Sequence, residues 1–265
     1  MRFTIVTPVL NGMPWLPEAI RSVARQRDGV DVEHLVLDGG STDGSREWLA
    51  AHRDLGYDLR VEPDGGQTDA LQRGFQRAKG ELLGWLNADD VLEPGALAIV
   101  EAAFGASPEA AMVSGACLFI DAAGRILGAM STPPDPTLAG LVRVRINPPQ
   151  PSTFFSAIAY ERAGGLDRSF DLAMDVDLWL RLAREGRYVV LPDQVLARYR
   201  VHPTAKSERA ATASAREDLR ARRLAGMHLR SPAGIALLRA GYVDPAVGPV
   251  GRGVRRILKR IVIRR

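Results

Sequence analysis

Four short polar segments of the chain carry residues that could do chemistry, and each of them follows an apolar run. They span residues 7–11, 38–43, 64–69 and 87–90. In the last segment Asp89 and Asp90 are adjacent, and neighbouring carboxylates repel each other and lose hydration when they are covered. They either open a helix, where acids are stabilised by the positive end of the helix dipole, or hold a cation. A short acidic turn suits Mg²⁺ or Mn²⁺, because such ions take one or two protein carboxylates and keep phosphate and water oxygens.

Other candidate residues have ordinary structural interpretations beside the functional ones. Asp38 lies in "LVLDGGSTDGS", where a D-G-G-S sequence is common turn chemistry. The Gly pair in "EPDGGQTDALQRG" precedes a helix and could present backbone N–H groups to a phosphate, although it matches neither nucleotide-binding glycine fingerprint. Asp175 and Asp177 open a helix, so they could be capping acids or a general base. An isolated histidine such as His202 more often has a structural role than a role as a metal ligand.

Alternating strands and helices must position these residues. Apolar patterning predicts strands at 2–6, 32–38, 57–62 and 81–87, and helices at about 14–26, 45–53, 67–79 and 94–105. We expect Ser41 or Thr42 to cap the second helix. Four strand–helix units imply right-handed crossovers and a parallel sheet covered on both faces. In such sheets ligands bind at the carboxyl ends of the strands, so all four polar segments should share one edge.

The second half of the chain has a different pattern. Strands are predicted in "AMVSGACLFID", "GRILGAM", "STFFSA", "YVVL" and "VLARYRV", with loops rich in Pro and Gly at 132–136 and 147–151. A helix is predicted at 175–186, and another within the Ala/Arg/Glu-rich residues 205–229. Trp85 and Trp179 are expected in the core. There is no internal repeat.

Composition limits the class of protein. The chain has 265 residues, 46% of them hydrophobic, and a single cysteine, Cys117, which favours a reducing compartment. No secretory signal and no stretch of about 18–20 apolar residues for a membrane-spanning helix is found. Net charge is +4, but the last 16 residues hold seven basic and no acidic residues, so residues 1–249 sum to about −3. The basic character therefore belongs to the tail.

Taken in order, four motifs resemble the family 2 glycosyltransferases. They are "TIVTPVLNG", "HLVLDGGSTDGS", "DGGQTDALQRGFQRAKGELLGWLNADD" and "FDLAMDVDLWLRLA", and they cover about residues 3–203. The resemblance implies the GT-A fold, an α/β architecture with a Rossmann-like, mostly parallel central sheet flanked by helices. It implies a donor-binding half (1–105) and an acceptor and catalytic half (106–205) of one domain, followed by a helical extension (206–249) and a basic amphipathic tail (250–265).

The resemblance also implies roles on the donor side. The donor-binding positions of the family correspond to Thr7, Pro8, Asn11, Asp38, Gln67, Asn87 and Asp89. Asp38 would accept from a uracil-type N–H. The Asp-x-Asp motif of the family falls on Asn87 and Asp89, so an amide replaces the first acid. Asp89 is therefore the expected metal ligand, whereas Asp69 and Asp90 are neighbours without an assigned role.

On the acceptor side the resemblance implies a general base. Asp175 takes the position of the family's acidic residue that deprotonates the acceptor hydroxyl, and Asp177 is the alternative. His202 is the expected ligand of the metal or the diphosphate, with Lys206 a weaker phosphate candidate. Gln150, in "NPPQPSTFF", matches the loop that contacts the acceptor.

The tail has a separate pattern. Val254, Ile257, Leu258, Ile261 and Val262 form one apolar stripe at helical spacing, with Arg and Lys on the other face. This pattern favours an amphipathic helix on an anionic membrane surface, against a solvated tail or a helix packed on the body. Nucleic acid is not an expected partner, because the body is acidic and has no recognised nucleic-acid motif. We expect a cytoplasmic protein, which the tail would place at the inner face of the plasma membrane.

The overall prediction is an inverting glycosyltransferase that uses a divalent cation, Mg²⁺ or Mn²⁺, and a nucleoside-diphosphate sugar, with a glycan or lipid-linked glycan as acceptor. One alternative is a non-catalytic sugar- or nucleotide-binding protein of the same fold. The other is a sugar nucleotidyltransferase, which would need a Gly-rich basic loop after the first strand, and "TPVLNGMPWL" is not such a loop.

Overall fold

The computed structural model describes residues 1–130, 132–133, 135–143, 147–206 and 210–227. Its strands are β1 (Arg2–Val9), β2 (Asp31–Asp38), β3 (Asp58–Val61), β4 (Leu82–Trp85), β5 (Val91–Leu92), β6 (Ala110–Ile120), β7 (Ile126–Met130), β8 (Thr153–Ser156) and β9 (Arg187–Arg200). Its helices are α1 (Leu16–Ala24), α2 (Ser45–Ala51), α3 (Gln67–Arg77), α4 (Ala96–Ala106), α5 (Leu138–Arg143), α6 (Ala157–Arg162), α7 (Met174–Glu185) and α8 (Ala211–Leu224).

All the strands belong to one mixed, mostly parallel sheet. Its order is β3-β2-β1-β4-β8-β6-β9-β5, and β7 pairs with β6. The first four strands are parallel, as the alternation of strands and helices predicts. β8 joins the two halves by running antiparallel to both β4 and β6. The predicted α/β architecture is confirmed, and strands from both halves of the chain build the same sheet.

Apolar side chains fill both faces of the sheet. In α1 the buried residues Leu16, Ala19, Ile20 and Val23 recur at helical spacing and turn one stripe toward the sheet. β4 is buried at every position, because helices cover it on both sides. Trp85 on β4 stacks on Trp179 of α7, with ring centroids 5.3 Å apart, and both are almost fully buried. The prediction that these two tryptophans are core residues is confirmed.

Several local predictions are wrong. β1 continues through Pro8 to Val9, since a proline near a strand end removes only one ladder donor and its φ suits a strand. The two strands predicted around Pro192 are the single strand β9, whose pairing with β6 skips from Leu191 to Val195. An irregularity of this kind lets a strand pass a proline without ending.

The predicted helix cap is also wrong. α2 begins at Ser45 after Gly44, without a side-chain cap. Ser41 and Thr42 instead face the loop after β1, where the Ser41 hydroxyl accepts from the Asn11 N–H. The short helices α5 and α6 were not predicted, because six residues give too little periodicity to recognise.

Candidate active site

The carboxyl ends of the first four strands lie along one edge of the sheet. Val9 at the end of β1 pairs with Asp38 at the end of β2, and Asp38 pairs with Val61 of β3. On its other side β1 pairs with β4, whose last residue, Trp85, is opposite Val6. The strand order therefore reverses at β1, and the switch point lies between the segments that follow β1 and β4. The expected shared edge of polar segments is present.

Side chains join the loops that follow β1 and β2. Asn11 has a left-handed backbone, φ 56°, and its Oδ1 accepts from the Thr42 N–H at 2.9 Å. Beside it, the Gly12 N–H donates to the Ser45 hydroxyl at 3.0 Å, and the Met13 N–H donates to Asp43 at 2.8 Å. The structural task of Asn11 is therefore to hold two loops of the edge together.

Asp38 is a buried carboxylate with one oxygen satisfied and one not. Its Oδ1 accepts from the N–H groups of Gly40 and Ser41 at 2.8 and 2.7 Å. Its Oδ2 has no hydrogen-bond partner among the described residues, and the Arg46 Nε lies 3.9 Å away. A buried acceptor without a donor costs free energy, so this oxygen is suited to receive an N–H from a ligand.

The loop after β3 packs against the same edge. Asp64 Oδ1 accepts from the Gly66 N–H at 2.8 Å, and its Oδ2 lies only 2.5 Å from the place that a Cβ on Gly39 would take. A larger residue at position 39 would have to displace the Asp64 carboxylate from its present place. Asp69 accepts from the Gly65 N–H and pairs with two arginines, contacts that lower the pKa of its carboxyl. Asp69 thus holds the loop in place.

A chain of amide side chains crosses the edge from α3 to the loop that holds Gln150. The Gln67 Nε2 donates to Asn87 Oδ1 at 2.8 Å, and the Asn87 Nδ2 donates to Gln150 Oε1 at 2.9 Å. The Gln150 Nε2 in turn donates to the Trp85 carbonyl at 2.8 Å. Three residues selected from sequence are therefore in direct contact. The place of Asn87 needs a donor and an acceptor at once, which an amide supplies and a carboxylate does not.

Asp90 is buried beside this chain of amides and also contacts the backbone of β9. It accepts from the Asn87 Nδ2 at 3.2 Å and from the Arg200 N–H at 2.9 Å. Burial, and then the charge of Asp89, raise the pKa of its carboxyl well above the usual range. Asp90 thus joins the turn after β4 to the end of β9. This contact gives Asp90, one of the two residues without an assigned role, a structural role.

Asp89 and His202 are in contact although 113 residues separate them in the chain. The His202 Nε2 lies 2.9 Å from Asp89 Oδ2, and its Nδ1 lies 2.8 Å from the Thr204 hydroxyl. Trp15 packs on the imidazole, with ring centroids 4.1 Å apart. The side chain of Asp89 is 30% exposed, whereas that of His202 is 6% exposed. The carboxylate is accessible, and the imidazole is fixed from three sides.

The donor set determines what this pair could hold. A carboxylate oxygen and an imidazole nitrogen are both ligands for divalent cations. Among the residues described, no group of three or more His, Cys, Asp or Glu side chains is arranged to hold a metal ion. The pair could therefore contribute two ligands, with the remaining ones supplied by a bound molecule and water.

Asp175 is the candidate base at the start of α7. It is half-buried, and its Oδ1 accepts from the Val176 N–H at 2.8 Å. Burial, with a smaller contribution from the Asp218 carboxylate, raises the pKa of Asp175 to about 6. A carboxylate with such a pKa is ionised at neutral pH and is a stronger base than an ordinary aspartate.

Asp177 does not share this position. It lies two residues further on the helix and so on a different face, where its Oδ2 pairs with Arg181 at 2.5 Å. Arg181 also donates to the carbonyls of Ala163 and Gly165. The structure thus gives the Asp177 carboxylate an ion pair, and the alternative assignment of the base to Asp177 stays a prediction.

Three other predicted residues have different surroundings. The Thr7 side chain is fully buried, and its hydroxyl lies 2.9 Å from the His34 Nε2, so only its backbone can reach a ligand. Pro8 is half-buried within β1. Lys206 is exposed and donates to the Asp171 carboxylate at 2.6 Å. A phosphate at Lys206 would have to compete with that ion pair.

Sequence reasoning missed Trp15 and Arg200. The Arg200 side chain is 1% exposed and donates to the carbonyls of Asp89 and Asp121 and to Glu18, which it meets at 2.5 Å. Trp15 is of a type often buried in cores, whereas a buried arginine is uncommon, and the segments that both residues contact are distant in sequence. No local pattern in the sequence identifies either residue. The one hint was that Arg200 lies two residues before His202.

The basic tail, 250–265, lies outside the described residues. Within the described part, no helix is long and apolar enough to cross a membrane.

Residues 4–145 match the family described as "Glycosyl transferase family 2". "Uncharacterized glycosyltransferase Rv1514c" of Mycobacterium tuberculosis is 31% identical over 182 residues, which are 68% of each chain. A "PGL/p-HBAD biosynthesis glycosyltransferase" of Mycobacterium bovis is 38% identical over 125 residues, which cover 43% of this chain and 45% of the relative.

Two solved structures share the fold. The mannosyltransferase PcManGT from Pyrobaculum calidifontis, in complex with GDP-Man and Mn²⁺, superposes with a TM-score of 0.62 at 23% identity. That likeness covers 97% of this chain and 80% of the other. S. aureus TarS 1–349 in complex with UDP-GlcNAc gives a TM-score of 0.63 at 15% identity, over 93% of this chain and 72% of the other.

Proposed function

The chain belongs to glycosyl transferase family 2, and we propose that it transfers a sugar from a nucleoside-diphosphate donor to a hydroxyl group, with inversion at the anomeric carbon. The observation that carries this proposal is the contact between Asp89 and His202, 2.9 Å apart, at the carboxyl edge of the sheet. It joins an accessible carboxylate to an imidazole at the switch point where ligands of open α/β sheets bind.

Asp38 supports a donor whose base carries a ring N–H. Its unsatisfied Oδ2 would accept from the N3–H of uracil. Guanine also has a ring N–H, whereas cytosine and adenine have none. The structural relatives bind UDP-GlcNAc and GDP-Man, which agrees with this class of base. We propose a UDP-sugar.

The residues present suit a divalent cation. Asp89 and His202 would bind it together with oxygens of the donor diphosphate, as expected for a site with few protein ligands. When bound, the cation would stabilise the negative charge of the departing diphosphate. His202 adds an imidazole that its contacts with Trp15 and Thr204 hold in place. Asn87 would hydrogen-bond the ribose without adding charge.

Asp175 would perform the proton transfer. As the acceptor oxygen forms its bond to the anomeric carbon, the carboxylate takes the hydroxyl proton, and the bond from that carbon to the diphosphate oxygen breaks. Attack from the face opposite the leaving group inverts the configuration. A positioned base of this kind contributes about 10²–10⁴-fold to the rate. Gln150, in contact with Asn87, is the proposed acceptor contact.

We propose a glycan or lipid-linked glycan as the acceptor. The M. bovis relative is described as a biosynthesis glycosyltransferase, which supports a biosynthetic role. An acceptor at a membrane would explain a basic amphipathic tail, although that tail lies outside the described residues. Sedimentation with anionic vesicles tests this part: the full chain should pellet more than a 1–249 chain, and equal pelleting would exclude the membrane role.

A donor screen tests the central proposal. The full chain is incubated with Mn²⁺ or Mg²⁺ and a panel of UDP-, GDP- and CDP-sugars. We expect slow hydrolysis or transfer with a donor that has a ring N–H, and loss of that activity in Asp89→Ala. If no nucleoside diphosphate binds, with or without the cation, the proposed function is wrong.

A further inference from the structure

The segment that leads into α7 is held by residues of α8. The N–H groups of Asp171, Leu172 and Ala173 all donate to one oxygen, Oε2 of Glu217, at 3.0, 2.7 and 3.0 Å. Glu217 lies on α8, 44–46 residues further along the chain. Ala173 at the helix N-cap has no side chain that could cap α7. Glu217 therefore holds the three residues that lead into α7, of which the last, Ala173, is its N-cap residue.

A second residue of α8 holds the preceding residues. Arg220 donates to the Ser169 carbonyl at 3.1 Å and to its hydroxyl at 2.8 Å. Its guanidinium also lies over the Phe170 ring, 4.4 Å from the centroid. From the opposite side, the Thr68 hydroxyl of α3 donates to the Phe170 carbonyl at 2.8 Å. Residues 169–173 are thus fixed between the donor side of the sheet and α8.

The same helix reaches the acceptor loop. Asp218 and Arg222 are buried and form an ion pair at 2.7 Å. Arg222 donates further to the Leu141 carbonyl and to Asn147 Oδ1. Asn147 lies three residues before Gln150, the proposed acceptor contact. One helix therefore contacts both segments that carry acceptor-side residues.

We propose that Glu217 is a positioning residue for the proposed transfer reaction: its carboxylate fixes the backbone of residues 171–173, from which α7 begins, and so the place of the Asp175 carboxylate. Asp175 follows the last of the three donating N–H groups by two residues. An anion at a helix N-terminus is stabilised by the helix dipole, and hydrogen bonds to a charged acceptor are stronger than neutral ones. A shift of about 1 Å in a reacting group can reduce a rate about 100-fold.

This inference rests on the proposed function, and the test uses the full chain. Glu217→Ala removes the acceptor, and Glu217→Gln keeps an oxygen without the charge. Glu161→Gln, an exposed carboxylate on α6, is the matched control. With a donor that the unaltered chain turns over, we expect kcat to fall about 30- to 100-fold in Glu217→Ala at an unchanged donor KM. Glu217→Gln should recover part of the loss, and Glu161→Gln should behave like the unaltered chain.

Amide hydrogen exchange gives a readout that needs no turnover. In Glu217→Ala, exchange in peptides from residues 169–177 should rise at least about tenfold, whereas β1 and β4 should stay protected. Unchanged exchange in 169–177, or a kcat within about twofold of the unaltered chain, would overturn the proposal. A kcat loss accompanied by general loss of protection would also overturn it, as unfolding. A chain that binds no nucleotide but shows the local exchange effect would contradict only the proposed function.

Discussion

Replacing Asn87 by aspartate tests why an amide stands where the family motif has an acid. In Asn87→Asp, a carboxylate oxygen takes the place of the Nδ2 that donates to Asp90 at 3.2 Å and to Gln150 at 2.9 Å. Two unit charges 3.2 Å apart repel by about 5 kcal/mol at an effective dielectric constant of about 20. Proton uptake and side-chain movement relieve part of this, so we expect the free energy of unfolding to fall by about 2–3 kcal/mol.

The assay is urea unfolding at pH 8 without metal ions. Asn11→Asp is the control, because Asn11 uses its Oδ1 as an acceptor on an exposed loop, and a carboxylate keeps that contact. We expect the control to change the unfolding free energy by less than about 0.5 kcal/mol.

A double variant that exchanges the amide and the carboxylate at positions 87 and 90 tests the charge argument. In the double variant Asn87→Asp with Asp90→Asn, the amide introduced at position 90 can donate to the carboxylate introduced at position 87 and still accept from the Arg200 N–H. The double variant should therefore recover most of the loss, apart from the Gln150 Oε1 that would still face a carboxylate. A coupling free energy below about 0.5 kcal/mol, or an Asn87→Asp chain as stable as the unaltered one, would refute the charge argument.

Three further outcomes are expected. Burial raises the pKa of Asp175 to about 6, so kcat/KM should fall as the pH drops through about 6, because the protonated carboxyl cannot take the acceptor proton. A flat pH profile would contradict the base assignment. The variant Asp175→Asn should lose about 10²–10⁴-fold in kcat with donor binding unchanged. Asp38→Asn should weaken UDP binding in calorimetry at least about tenfold, because an NH₂ group can then replace the unsatisfied oxygen; an unchanged Kd would exclude this oxygen as the base contact. Arg200→Lys should lower the free energy of unfolding in urea by about 3 kcal/mol, because a lysine cannot make the separate contacts of the buried guanidinium. The control Arg198→Lys, at a partly exposed pair with Glu93, should lower it by less than about 1 kcal/mol. Equal losses in the two variants would contradict the role given to the Arg200 guanidinium.

Local patterns predict the sheet edge well and the contacts across it poorly. The alternation of four strands and helices gives the parallel half of the sheet, because periodicity and turn residues are encoded within short windows. The continuous β9 was missed because a proline such as Pro192 usually ends a strand. In the structure the strand continues beyond this proline because it pairs with the long β6. Tertiary pairing overrode the local signal.

Within the candidate site, the pairs of residues that contact each other were predictable only through the family resemblance. Asp89 and His202 are 113 residues apart, and no spacing rule connects them. Arg200 and Glu217 had no signal of either kind, since their partners are mostly main-chain groups, which any sequence provides. The different surroundings of Asp175 and Asp177 could be seen only in the helix itself, which turns the two carboxylates to different faces.

The two adjacent carboxylates after β4 differ in what they contact, and this has a consequence for cation binding. Asp90 is buried against Asn87 and the Arg200 backbone, so it is enclosed by protein donors, whereas Asp89 is accessible beside His202. With an amide at position 87, the turn offers a cation one accessible carboxylate and one imidazole. Two such ligands leave most positions around a hexacoordinate ion to water or diphosphate oxygens. Cation affinity should therefore be weak for the protein alone and rise with UDP, and by linkage the cation should raise UDP affinity by the same factor. Calorimetry of Mn²⁺ with and without UDP measures both sides of this cycle, and a cation affinity that UDP leaves unchanged would show that the diphosphate supplies no ligands.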